Sequence, residues 1–513
     1  MLPFFVPLLD VLCACSFQET DTWVVGLLIE FVIFASNNIN AMKRTLLLFV
    51  VASFWCSVLL SQSDAVVRSQ WYDWFDGRGV GIVDAPASSL TFKGYIRAGA
   101  GGNDRGGMQM GFQMPEAMSK YRLGNEADHY AEFTFLYHQA FGRKGDKSLD
   151  VVWTSSYHRN YGQPHGIDPT LAAEAYIKFN NLLGGNESFW LGRRYYDRKS
   201  IDMLDRYWLN PGQDGVGLGV ENLLRRRDPN NREDLKLAAF IYHDDDMWYH
   251  DAIESEYQLY RVTADARWVG RRLGQSHSYF NVGASYTALP HGVGSDYTLL
   301  HGFGLQAWVD TEGALTHNTL AAVYRHGANI VANNSLGRAM KENVLQQHRV
   351  ICDLKNAYSF ELSNDFVYDN KESYALNVVA LFSMMDYGTD PYLLKEDGTT
   401  HFIEGSQHQF YWFTLGARNV FYLTDQFRVN LELSSEYGIV QHYDTQGFLN
   451  KVTLMPEFAP FKGLGAAPVL RPFVTYAFWN DGLCGHIGAP SWGAGYDRQT
   501  SGCTFGLQVS AWW

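Results

Sequence analysis

The chain has 513 residues, a formal net charge of -13, 19 % charged residues, 15 % aromatics and 48 glycines. The acidic balance argues against a general nucleic-acid binder, which presents basic faces to phosphates. Many aromatics and glycines with modest charge fit strands and turns better than a helical bundle. The length, which suggests several domains, also suits one large β-barrel.

Residues 1–41 include the apolar run WVVGLLIEFVIFA, yet a complete export signal follows it. From Met42, the basic pair Lys43 and Arg44 precedes an apolar stretch from Leu46 to Leu60 and the small-x-small site Ser63-Asp64-Ala65. That is the form of a secretory signal peptide over 42–65. Residues 1–41 then read as an extension from a start placed too early, and residues 66–88 as a short leader with Gly and Pro. Three cysteines follow the signal: Cys352, Cys484 and Cys503. Cys484 and Cys503 flank a Gly-rich stretch, and both a disulfide and free thiols fit, since spacing does not decide connectivity.

From residue 89 the chain shows short alternating segments separated by Gly, Asp and Asn turns. In FKGYIRAGA, Lys93, Tyr95 and Arg97 share one face, while Phe92, Ile96 and Ala98 share the other. In HYAEFTFLYHQAF, Tyr130, Glu132, Thr134 and His138 oppose Ala131, Phe133, Phe135 and Tyr137. YALNVVALFSMM, QFYWFTLGARNVFYL and FRVNLELSSEYGI read as further strands. In CTFGLQVSAWW, Phe505, Leu507, Val509, Ala511 and Trp513 oppose Thr504, Gly506, Gln508, Ser510 and Trp512. Period-two alternation predicts strands with unlike faces. After residue 65 there is no apolar run long enough for a transmembrane helix. A transmembrane barrel is nearly silent in a hydropathy average, here -0.20. The export signal and the aromatics near strand ends favour such a barrel over a soluble sandwich. In lipid only closed barrels let strands satisfy every backbone group.

Enzyme and metal signatures are scarce. GAGGNDRGG (99–107) lacks the ending of a phosphate loop, and its residues read as turn glycines. There is no H-E-x-x-H, no paired C-x-x-C and no G-x-S-x-G. HDDDMWYHD (243–251) reads as an exposed acidic turn rather than a cation site. What remains is aromatic rings beside Arg and Asp or Glu, as in WLGRRYYDRKSIDMLDRYW (190–208). Rings stack on the apolar faces of sugars, and charged groups hydrogen-bond the hydroxyl edges.

FKGYIRAG, SKYRLGNEADHYAEF, KGDKS, WLGRRYYDRKSIDMLDRYW, GVGLGVENL and the terminal TFGLQVSAWW resemble the maltoporin (sugar-specific porin) family. They occur in the family's order over residues 90 to 513, more densely before residue 225 and at the C-terminus. The resemblance implies an all-β transmembrane antiparallel barrel of about 18 strands. It also implies a third loop folded inward as a constriction, and a homotrimer in the bacterial outer membrane. By motif, Tyr95, Tyr130 and Trp512 match the aromatic slide that guides the sugar. Arg97, Arg122 and Glu132 match charged pore residues, and Arg198, Asp205 and Tyr207 match the constriction. Several positions depart from the pattern. YGQPHGI carries no tryptophan before Asp168, a second slide tryptophan falls near Gly465, and an arginine is replaced around Ala172. The last constriction aspartate is Asn210, and Phe112 and Ala127 stand near the family's early disulfide.

The sequence therefore predicts a barrel over 89–513 acting as an outer-membrane carbohydrate porin. It would pass maltodextrins or other oligosaccharides and small ions by facilitated diffusion. The predicted protein is not an enzyme, uses no cofactor, binds no nucleic acid, and is embedded in outer-membrane lipid. A general diffusion porin with a degenerate slide is the second reading. An outer-membrane glycosidase using Asp205 and Glu132 is the third, since that chemistry needs two placed carboxylates.

Overall fold

The computed structural model describes residues 80–513 except 86, 118, 143–144, 162–167, 213–214, 225–231, 244–259, 292–297, 332–348, 352–353, 387–391, 395–399, 403–408, 442–444, 488–495 and 497. The extension 1–41, the export signal 42–65, the leader up to residue 79, Cys352 and most of the acidic stretch 243–251 lie outside the described residues.

Eighteen antiparallel strands close into one barrel. The first six are β1 (Ser88–Asn103), β2 (Asp128–Phe141), β3 (Lys147–Asn160), β4 (Asp168–Asn180), β5 (Ser188–Arg193) and β6 (Val216–Glu221). Next come β7 (Asp234–His243), β8 (Tyr260–Arg272), β9 (Ser278–His291), β10 (Thr298–Glu312), β11 (Thr316–Gly327) and β12 (Tyr358–Asp369). The last six are β13 (Tyr374–Asp386), β14 (Gln409–Tyr422), β15 (Phe427–Val440), β16 (Thr445–Phe458), β17 (Val469–Trp479) and β18 (Ser501–Trp512). Each strand pairs with its chain neighbour, the arrangement that hairpins make with least loop. The ring closes where Tyr95–Asn103 of β1 pairs with Thr504–Trp512 of β18. A short strand, Val80–Ala85, adds to β1 at residues 88–92, beside that closure.

The alternation becomes a wall with two chemistries. On β18, Phe505, Leu507 and Val509 are 49 %, 48 % and 43 % exposed, while Gln508 and Ser510 are 4 % and 1 % exposed. The apolar side chains therefore face outward to lipid, and the polar ones face the lumen. On β2, Phe135 and Tyr137 are exposed, and Thr134 bonds Thr154 of β3 at 2.8 Å on the inner side.

The lumen is partly filled by the chain itself. The third long connection, 194–215, folds inward as the resemblance implies, and the first, 104–127, does so too. Their apolar residues Phe112, Tyr121, Met203 and Trp208 pack with Trp308, Leu381, Trp412 and Trp479 of the wall in one buried cluster. Trp208 meets Trp308 edge to face at 5.6 Å, and Arg325 donates to the Trp208 carbonyl at 2.6 Å. The start of the loop is tied through Asp197, which accepts from Lys236 at 2.9 Å and whose carbonyl accepts from Arg267 at 2.8 Å. The two inward segments bond each other: Lys120 N–H donates to the Leu204 carbonyl at 3.2 Å, and Arg122 N–H to Met203 at 3.1 Å.

Close approach of the first inward segment sets the glycines around it. A Cβ on Gly416 of β14 would collide with the Tyr121 ring. Gly124, at φ 60°, lies so near Thr475 and Thr453 that no side chain fits. The same approach corrects the reading of 99–107 as turn glycines. Gly99, Gly101 and Gly102 lie within β1, and a Cβ on Gly101 would strike Gln109 of the returning segment. Cys484 and Cys503 carry free thiols, and Cys484 Sγ donates to the Gln499 carbonyl at 3.5 Å.

Trp208 lies in the loop ribbon Arg206–Leu209 and outside the barrel strands, so Trp208→Ala leaves a barrel with a poorly seated loop. Loss of a buried tryptophan costs on the order of 3–5 kcal/mol. Planar-bilayer recordings of this variant are expected to show higher conductance and greater open-channel noise, with insertion retained. Wild-type conductance and noise would show that the loop is held without it.

Candidate functional site: a lumenal track of rings and charges

Closure of the barrel builds the first part of the site. Tyr95 and Trp512 are direct partners across the β1–β18 seam. Their rings stack at 6.4 Å with planes 19° apart, and Tyr130 on β2 follows at 5.8 Å from Tyr95, tilted by 55°. Three neighbouring strands thus carry a continuous line of rings, as parity in the sequence suggests. Trp512 leans on Ala459, Ala466 and Val469, at and beside the turn joining β16 to β17. Each tyrosine hydroxyl is oriented: Tyr95 accepts from Arg97 Nη1 at 3.3 Å, and Tyr130 donates to Glu132 Oε2 at 2.8 Å.

The charged residues fall into two groups. Arg97 is only 6 % exposed; its guanidinium forks onto Asp128 at 2.8–3.0 Å and meets Glu126 at 2.8 Å. It lies behind the rings and holds them in place. Arg122, on the first inward segment, reaches Glu126 at 2.8 Å, Asp202 at 2.9 Å and Asp205 at 3.7 Å. It therefore clips the two inward segments together at the lumen edge.

Asp205 ends the short 3-10 turn Asp202–Leu204 in a left-handed conformation at φ 53°. This conformation points its carboxylate away from the turn and toward Arg122. Desolvation inside the barrel raises its pKa, but the guanidinium of Arg122, with Lys120 and Arg97 beyond it, holds the carboxyl below the usual range. It stays an anionic acceptor at neutral pH. Arg198 lies between two rings, 4.0 Å from the Tyr195 centroid and 4.9 Å from the Tyr207 centroid. A cation between rings keeps both faces oriented. Tyr207 sits opposite Ser200 in the two-stranded ribbon of the loop.

A lumenal cavity joins these parts: Tyr95, Trp512, Arg122 and Asp202 line it together. Its other wall holds residues outside the family-like motifs, namely Arg418, Arg428, Glu457 and Arg471, together with Gln508 of the last strand. Strand parity could have found them. Arg428, Asn430 and Glu432 alternate in FRVNLEL, and Gln508 shares the face of Trp512. Tyr195, Glu126 and Asp128 lie within the quoted motifs but gain meaning only from their partners.

Of the departures from the sugar-porin pattern, Asn210 is buried at 2 % exposed. Phe112 is fully buried and stacks on Tyr496 at 5.1 Å, so a core ring stands near the family's disulfide position. Gly465 is in the turn beside Trp512, and residues 162–167 lie outside the described residues. Among the described residues no group of His, Cys, Asp or Glu is arranged to hold a metal ion.

Among solved structures, the chain is similar to the trimer form of OmpT, an outer membrane protein of Vibrio cholerae. Identity is 8 %, covering 83 % of this chain and 100 % of that one, with a TM-score of 0.36. It is similar to the outer membrane channel DcaP of Acinetobacter baumannii at 9 % identity, covering 84 % and 99 %, with a TM-score of 0.40. It is also similar to Salmonella typhi OmpF in complex with daunomycin at 10 % identity, covering 83 % and 99 %, with a TM-score of 0.40. The sequence pattern of the LamB porin family matches residues 90–513, which is the whole barrel from within β1 to the last residue. With that match over a closed eighteen-stranded barrel, the chain belongs to the LamB porin family and is an outer-membrane β-barrel porin.

Proposed function

We propose that this porin passes saccharides of the maltodextrin type by facilitated diffusion, working as a homotrimer with one sugar path per barrel. No bond is made or broken. The observation that carries the reading is the line of rings Trp512, Tyr95 and Tyr130, which runs on adjacent strands beside the inward loop bearing Tyr207. A sugar ring can slide from face to face because each stacking contact is weak, so entry and exit both remain fast. Glu132, Asp205 and Arg198 are the partners for its hydroxyl edges. Glu132 and Asp205 are already engaged by Tyr130 and Arg122, an arrangement suited to binding rather than to glycosidase chemistry.

One observation favours the general diffusion porin: Gly465 stands in the turn that supports Trp512, where a further ring would lengthen the slide. Block of single-channel current by a maltodextrin series separates the two readings. Graded block that deepens with chain length supports the slide, and no block by any member sinks it.

Trp512→Ala is expected to raise the half-blocking concentration of maltotriose about fivefold, the worth of one aromatic contact of ~1 kcal/mol. Intact block would remove Trp512 from the path. Tyr207→Ala is expected to raise single-channel conductance, because the loop then projects less into the lumen. Unchanged conductance would place the narrowest point elsewhere.

A further inference from the structure

On the wall next to the ring pair the cavity is lined by three guanidinium groups, Arg418, Arg428 and Arg471, and by one carboxylate, Glu457. Going round from Trp512, β17 bears Arg471, β16 Glu457, β15 Arg428 and Glu432, and β14 Arg418. Glu457 serves both Arg428 and Arg471, and Glu432 serves both Arg418 and Lys451. Each of these two carboxylates is shared by two cations, and Glu436 of β15 is a third carboxylate acting on Lys451. The carboxylates also lie behind: Glu432 and Glu457 side chains are 0 % and 2 % exposed, whereas Arg418 and Arg471 are 14 % and 18 % exposed. Arg418 uses Nε and Nη2 on Glu432, at 2.9 and 2.8 Å, and Arg471 uses Nε on Glu457. Among the described residues, Nη1 of Arg418 and both terminal nitrogens of Arg471 have no protein acceptor. The face toward the lumen is therefore a set of planar donors, in the same cavity as the Tyr95 and Trp512 rings. Across the cavity Arg122 is held by Glu126 and Asp202, so the excess positive charge belongs to the β14–β17 wall.

A planar guanidinium fork matches a carboxylate, with two parallel N–H donors to two oxygens, better than it matches a hydroxyl. A ring pair beside such a fork fits a sugar that carries its carboxylate on the ring. We propose that Arg471 and Arg418, with Trp512 and Tyr95, form a subsite for uronate-containing oligosaccharides. The inference rests on the carbohydrate reading above and extends its substrate class to acidic sugars.

The test uses the full-length protein in planar bilayers at 0.1 M KCl, where charge screening is modest. The probes are trigalacturonate, its uncharged methyl ester and maltotriose. Trigalacturonate is expected to block at a concentration about tenfold or more below its ester, as charge-assisted hydrogen bonds exceed neutral ones. In Arg471→Gln, whose Glu457 keeps Arg428 as partner, that ratio is expected to fall toward one. The zero-current potential in a KCl gradient is expected to move toward cation selectivity. Arg418→Gln is the second variant, with Lys451 left to hold Glu432, and the same two changes are expected. Equal block by acid and ester while maltotriose still blocks overturns the acidic subsite and leaves the carbohydrate reading standing. No block by any of the three overturns both. A ratio unmoved in both variants overturns the assignment to these arginines.

Discussion

Inside a bilayer the backbone has no water to bond, so a sheet with a free edge is not an option. The pairing of β1 with β18 satisfies that demand, and it has a second effect. Because Tyr95 and Trp512 face each other in that register, the bond ladder that seals the barrel also stacks the two rings. Shifting the register by one residue would turn one of the pair to lipid. The seam and the binding track are set by one constraint.

The same alternation leaves an inner wall with apolar patches as well as polar ones. Trp308, Leu381, Trp412 and Trp479 would face water if the lumen were open throughout. Two inward segments cover them, contributing Phe112, Tyr121, Met203 and Trp208, and so build a core inside the barrel. On one side of that core lies the cavity beside the barrel seam. There the rings of β18, β1 and β2 face charges on the inward segments and on β14–β17. Arg122 ties the two segments at that border, so packing and the polar track meet at one residue.

Charge in the lumen is organised by burial more than by number. Arg97 has the residue type of a pore ligand, but Glu126 and Asp128 enclose it, and its work is to aim Tyr95 and to lie against Tyr130. On the opposite wall the order is reversed: carboxylates lie underneath and guanidinium groups face the space. A buried ion pair left without one partner is costly. Glu432 and Glu457 each have two cations there, which leaves the outer donors of Arg418 and Arg471 available to a passing solute.

The sequence by itself determined the barrel and which face of each strand is wet, because period-two alternation is a local property of extended chain. It also placed Tyr95, Tyr130 and Trp512 on the inner face by parity alone, and the quoted motifs marked the inward loop around Tyr207. Tertiary structure alone decided which of these residues meet. The register that joins Tyr95 to Trp512 links opposite ends of the chain, and no local spacing encodes it. The same holds for the inward turn of 104–127, which explains Gly101 and Gly416. It also holds for the sharing of Glu457 between Arg428 and Arg471. Those contacts depend on closing long loops and on packing in three dimensions. A residue's type and parity define what it can offer, while its neighbours decide whether it is offered to the lumen or used within the wall.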